Sequence, residues 1–162
     1  MQGLVRIGGV VTLLDQPAGE MLGGDGMAGN LDGLAARLAA TRGTETDWAQ
    51  VFFLVAQLRT AADETELAHS HRILHREIYA IAFSPRLTAL FNSQLIPYIS
   101  EVVNVGPGKH SDPEGAFHQH LSLVRALSSG DAELAAQASR DHAASGARYA
   151  KSLSEIADPH DQ

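Results

Sequence analysis

From about residue 31 onward, apolar side chains recur every three to four positions, and this period holds for the rest of the chain. A stripe at that spacing lies along one face of an α-helix, whereas a half-buried strand would alternate every second residue. Glycine is sparse through the same stretch, so little interrupts the helices except their own ends. Six candidates follow. "LDGLAARLAATR" stops at Gly43. "TDWAQVFFLVAQLRTAA" has Thr46 or Asp47 as its cap and carries Trp48, Val51, Phe52 and Val55 at core spacing. "DETELAHSHRILHREIYAIAF" is the third. The fourth takes Ser84 as N-cap and Pro85 at the first helical position, runs to about Val105, and is expected to kink at Pro97. "SDPEGAFHQHLSLVRALSSG" ends at Gly130, and Asp131 opens the last, "DAELAAQASRDHAASGARYAKSLSEI". The expected architecture is all-α, an antiparallel bundle of about six helices with short connections.

The first 29 residues differ. They are glycine-rich, with one β-prone run from Val10 to Leu14, and read as a short strand followed by loop. The chain therefore divides into a lead over 1–29, a helical domain over 30–157 and a tail over 158–162. At 162 residues it suits one compact domain. No apolar run approaches the roughly 20 residues that span a bilayer, and the start lacks the order of a signal peptide, so a cytoplasmic protein is expected. A formal charge of −7 disfavours a phosphate backbone as direct partner.

Cysteine is absent, which removes disulfides and thiolate metal sites together. Any metal must be held by histidine and carboxylate. Within "HSHRILHREIY", three of the eight histidines fall in seven residues, and His71 and His75 stand four apart. Both lie in the apolar seam Leu67, Leu74, Ile78 and Ile81. On the fifth helix His120 lies within the seam Phe117, Leu121, Val124 and Leu127, while His118 lines up with Ser122 and Arg125 outside it. On the last helix His142 continues the stripe Ala135, Ala138, Tyr149, Leu153 and Ile156. Four imidazoles from three helices thus point inward, which is costly unless their ring nitrogens are satisfied. One divalent transition metal would satisfy all four, since neutral imidazole is a common ligand and residues four apart on a helix can grip one ion. A hydrogen-bonded polar core is the alternative. His69, His110, His118 and His160 read as surface residues.

Three segments carry a resemblance. "LAARLAAT", "HRILHREIYAIAFSPRL" and "QHLSLVRALSSGDAELAAQASRDH" resemble, in order, the first helix, the metal-site helix with its following turn, and the closing signature of the FCD domain, the C-terminal effector-binding domain of the FadR branch of GntR-type regulators. The last is the most specific, because His120, Gly130-Asp131 and His142 all keep the family's spacing. The resemblance implies a divalent metal held by one aspartate and three histidines, a small carboxylate effector beside it, a homodimer, and DNA binding through a winged helix-turn-helix domain. His75, His120 and His142 match the three histidines.

Departures qualify the match. His71 stands where the family has its aspartate, so four neutral nitrogens would leave the ion's charge uncompensated. That favours an anionic effector, and zinc or nickel over magnesium, manganese or calcium. Many members carry an arginine on the first helix that grips the effector carboxylate; the corresponding position here is Ala28. Of the winged helix, only "QGLVRIGGVV" resembles a part, the turn and wing strand at its end. The expected function is a metal-dependent carboxylate-sensing domain and not an enzyme. A histidine-bound ion could also activate water in a hydrolase-like enzyme, but Glu77 and Asp141 are both expected to point away from the histidines, leaving no general base. A metal-free helical dimerisation domain is the third reading. For a dimer, the first and fourth helices are the candidate surfaces.

Overall fold

The computed structural model describes residues 6–7, 10–11, 26–95 and 113–157. Two short strands, β1 (Arg6–Ile7) and β2 (Val10–Val11), pair antiparallel with Arg6 opposite Val11 and Ile7 opposite Val10. The β-prone run is thus the second arm of a small ladder, and its remainder, to Leu14, lies outside the described residues. The helices are α1 (Met27–Arg42), α2 (Glu45–Arg59), α3 (Glu64–Ile81), α4 (Pro85–Leu90), α5 (Pro113–Leu127) and α6 (Ala132–Ala157). After α4 the backbone loosens into a π-helical stretch, Phe91–Leu95. The expected continuation to Val105 and the Pro97 kink lie outside the described residues.

The helix ends follow local chemistry. α1 begins four residues before Leu31, because Asn30 returns both its backbone and its side-chain N–H to the Gly26 carbonyl at 3.0 Å and closes a first turn there. The cap of α2 is Thr44, upstream of both expected candidates. Its hydroxyl accepts from the Asp47 N–H at 3.2 Å, and the Asp47 carboxylate accepts from the Thr44 N–H at 2.8 Å. Two otherwise orphaned N–H groups are satisfied reciprocally. The Asp47 carboxyl is held below its usual range by the Thr44 N–H first and second by the Thr44 hydroxyl, which also donates to it at 2.7 Å. Ser84 and Pro85 start α4 as expected, with Ser84 accepting from the Leu87 N–H.

The helices close a ring: α1 packs on α6, α6 on α5, α5 on α2, α2 on α3, and α3 back on α1. Inside it lies one apolar core, with Trp48, Val51, Leu54, Val55 and Leu58 from α2, Leu67, Leu74, Ile78 and Ile81 from α3, and Leu123, Val124 and Leu127 from α5. Burying each such side chain contributes about 1.5–3 kcal/mol. Phe52, Phe117 and Leu121, expected at the centre, sit at its edge, and Leu54, Leu58 and Leu123 fill it instead. A smaller cluster joins α1 to α3 and α4 through Ala28, Ala35, Tyr79, Ala82, Leu87 and Phe91.

α1 and α6 run antiparallel. Arg37 pairs with Glu133, whereas Gly33, one turn earlier, faces Ala136 and Arg140, further along α6. A methyl at Gly33 would lie 3.3 Å from the Ala136 carbonyl, so only glycine admits this approach without a shift. Among the described residues, no helix is long and apolar enough to cross a membrane.

Candidate metal centre

α3 starts at Asp63, whose carboxylate accepts from the Glu66 N–H at 2.8 Å, while Glu66 reaches back to the Ala62 N–H at 2.7 Å. With the start fixed, the helical period turns His71 and His75 toward α5 and α6. The turn between α5 and α6 is fixed as tightly. Gly130 takes φ 80°, a left-handed conformation natural for glycine, and Asp131 accepts from the Glu133 and Leu134 N–H groups at 3.0 Å each. This reversal brings His142 back over His120, with ring centroids 4.6 Å apart.

The structure brings together all four expected histidines. One ring nitrogen from each of His71, His75, His120 and His142 lies within 4.8 Å of the others. His75 Nε2 stands 3.2 Å from His71 Nε2 and 3.3 Å from His120 Nε2. The rings of His75 and His142 stack at 5.3 Å. His75 and His120 are buried, and His71 and His142 are half-buried. His118 is exposed and pairs with Glu114 at 3.1 Å; His69 is exposed as well. His110 and His160 lie outside the described residues, as do the side chains of Tyr149, Leu153 and Ile156.

Burial keeps these rings neutral. It is the largest cause in every case, holding His71 and His75 well below the usual imidazole range, His120 at about 4 and His142 at about 3, with mutual repulsion of the rings adding to it for His71, His75 and His142. A neutral imidazole has one N–H and one lone pair. His120 Nδ1 lies 2.7 Å from the Ala116 carbonyl, so the proton sits there and Nε2 presents its lone pair to the cluster. His71 Nδ1 is sealed from solvent and has no hydrogen-bond partner among the described residues.

This donor set fits a transition metal. Tetrahedral coordination with metal–nitrogen bonds of about 2.0–2.1 Å implies nitrogen–nitrogen edges of roughly 3.3 Å, and two edges measure 3.2 and 3.3 Å. Without a proton or cation between them, facing lone pairs at that distance repel. The group contains no carboxylate among the described residues. Asp141 is exposed and accepts from Gln137 at 2.9 Å; Glu77 is half-buried on α3 and outside the group.

One pair went unseen in the sequence. The Tyr79 hydroxyl donates to Asp32 Oδ1 at 2.6 Å, joining α3 to α1, and the Tyr79 ring stacks on Phe91 at 4.4 Å. Burial pushes the Asp32 carboxyl up to about 6, against the opposing effect of the Tyr79 bond, and burial likewise raises the Tyr79 phenol. The signal was present: Tyr79 continues the row His71, His75 by one more turn, and Asp32 is the polar member of the stripe Asp32, Ala35, Ala36 and Ala39. Ala28, one turn before Asp32, is buried.

Comparison with protein-family models matches residues 27–145 to the FCD domain. The match runs from the first residue of α1 to just past His142. No curated protein matches the chain.

Proposed function

The chain belongs to the FCD domain family, the effector-binding domains of GntR-type regulators, and from that premise we propose that it senses a small carboxylate through a metal held by His71, His75, His120 and His142. The observation that carries this reading is the convergence of four neutral ring nitrogens from three helices on one point. A dication, when bound, supplies positive charge and open coordination positions for an anionic effector. Four neutral ligands leave that charge uncompensated, and imidazole donors favour zinc or nickel.

The protein's own residues do the rest. Ala116 fixes the His120 tautomer, the Gly130-Asp131 turn sets the approach of α6, and α3 contributes two ligands from one face. Residues 30–157 form the sensing unit in this reading, with 1–29 as lead and 158–162 as tail. An effector that favours one packing of α3, α5 and α6 would change how paired winged-helix domains sit on two half-sites. The working form is a cytoplasmic homodimer. Leu34 on α1 and Leu90 on α4, both exposed, lie on the helices expected to meet in it.

Elemental analysis of the untagged chain, with thermal melts of metal-loaded and chelator-treated samples, tests the reading. About one zinc or nickel per chain and a melting temperature that falls on chelation and recovers on re-addition support it. A metal-free protein indifferent to both treatments overturns it.

A further inference from the structure

The row His71, His75, Tyr79 extends the candidate metal centre by one helical turn, roughly 5.4 Å, beyond His75. From that position the Tyr79 hydroxyl reaches Asp32 on α1, and its ring stacks on Phe91. From the other side, the antiparallel pairing of α1 and α6 decides what lies nearby. Arg37 is level with Glu133 and Gly33 with Ala136 and Arg140, so the first two turns of α1 run beside the turn of α6 that carries His142. Those turns offer the methyl of Ala28 and the carboxyl of Asp32. Asp32 is thereby tied, through Tyr79, to the turn of α3 that follows His75.

A carboxyl in that place is costly, and among the described residues one side chain bonds to it. The Tyr79 hydroxyl occupies Oδ1. Arg140, across Gly33, donates to Gln137 at 2.8 Å instead, and Asp32 has no basic partner among the described residues. A helix pin needs no charge; a serine or asparagine would serve. What an anionic acceptor adds is selection of a bound molecule.

We propose that Asp32, held by Tyr79, is the specificity-determining residue of the effector site, and that it selects a small monocarboxylate whose far end carries a hydrogen-bond donor, a hydroxyl or an ammonium group. This rests on the metal-and-carboxylate reading above. The charge balance supports it. A dication, one effector carboxylate and an ionised Asp32 sum to zero, whereas a second carboxylate would meet Asp32 as a like charge in a poorly solvated place. An alkyl end would leave the Asp32 oxygen desolvated and unpaired.

The test uses the full, untagged, nickel-loaded chain and four ligands of matched length: butanoate, its ω-hydroxy and ω-amino derivatives, and butanedioate. Calorimetric titration is expected to show at least one donor-bearing ligand binding about tenfold or more tighter than butanoate and butanedioate, as a hydrogen bond to a charged acceptor implies. In Asp32→Asn, which still accepts from Tyr79, that advantage shrinks to within about threefold while nickel content is unchanged. Tyr79→Phe keeps the carboxylate and keeps the preference. Equal binding of all four ligands by the wild-type chain, which needs no variant to fold, overturns the role of Asp32 and leaves the carboxylate-sensing reading standing. A preference that survives Asp32→Asn does the same. A nickel-loaded chain that binds none of the four overturns both.

Discussion

His120 gives its Nδ1 proton to the Ala116 carbonyl one turn back on the same helix, at 2.7 Å, and this single bond decides which nitrogen faces the other three histidines. Backbone geometry on α5 thus sets the chemistry of a ring whose partners come from α3 and α6. If the cluster holds an ion, His120→Ala and His142→Ala each lower metal content. Metal at a hundredfold excess over its Kd stabilises a folded protein by about 2.7 kcal/mol, and both variants should lose most of that increment in a thermal melt. His118→Ala, on the exposed side of α5, should match the wild type in both measurements.

Acid should unfold the metal-free protein early. The four histidines have folded-state values below the unfolded value near 6.5, so the unfolded chain binds more protons below that pH. Their contribution is fully present above about pH 6.5 and is lost as pH falls toward about 4 and about 3, the values of His120 and His142. Melting temperature against pH should be level near neutrality and fall steeply through pH 6 to 4. A profile flat down to pH 4 would contradict neutral buried rings.

Asp32 acts with the opposite sign in the same window. Its folded value, about 6, lies above the unfolded 3.8, so its contribution is present below pH 3.8 and lost as pH rises through 6. Asp32→Asn keeps an acceptor for Tyr79 and removes a half-buried charge. The variant should be more stable than wild type at pH 7.5, by on the order of 1–3 kcal/mol in urea denaturation, and should lose stability more steeply between pH 6 and 4.

The junction of α1 and α2 gives a test of packing alone. A Cβ on Gly43 would lie 2.7 Å from two atoms of the Trp48 ring, so Gly43→Ala must displace a buried indole and should cost about 1–3 kcal/mol. Thr44→Ala removes half of the capping box and should cost about 1 kcal/mol. Both are read from denaturant midpoints, and neither should change metal content.

Most of the fold was legible because one rule, an apolar residue every third or fourth position, covers nearly all of it. The site was legible for the same reason: a histidine in an apolar seam faces where its neighbours face, so His71, His75, His120 and His142 could be aimed inward by counting alone. Helix starts were less so. Thr44 and Asp47 form a visible Thr-x-x-Asp box, but the apolar spacing alone places the start next to the first apolar residue, two or three positions too late. On α5 the seam is displaced toward Leu123, because a helix with apolar residues at 117, 121, 123, 124 and 127 supports more than one buried face, and only its partners decide between them. Asp32 escaped since a lone aspartate in an alanine-rich helix reads as solvated until the facing tyrosine is known.

The rings of His75 and His142 stack although most of the domain separates them along the chain. In folding terms this is a contact of high order, made only after α3, α5 and α6 have all docked. A chain still emerging from the ribosome, with α1 to α3 outside it, holds only two of the four imidazoles, and a third arrives with α5. Closure of the cluster therefore reports completion of the fold, and an ion that needs all four nitrogens would discriminate finished molecules from unfinished ones.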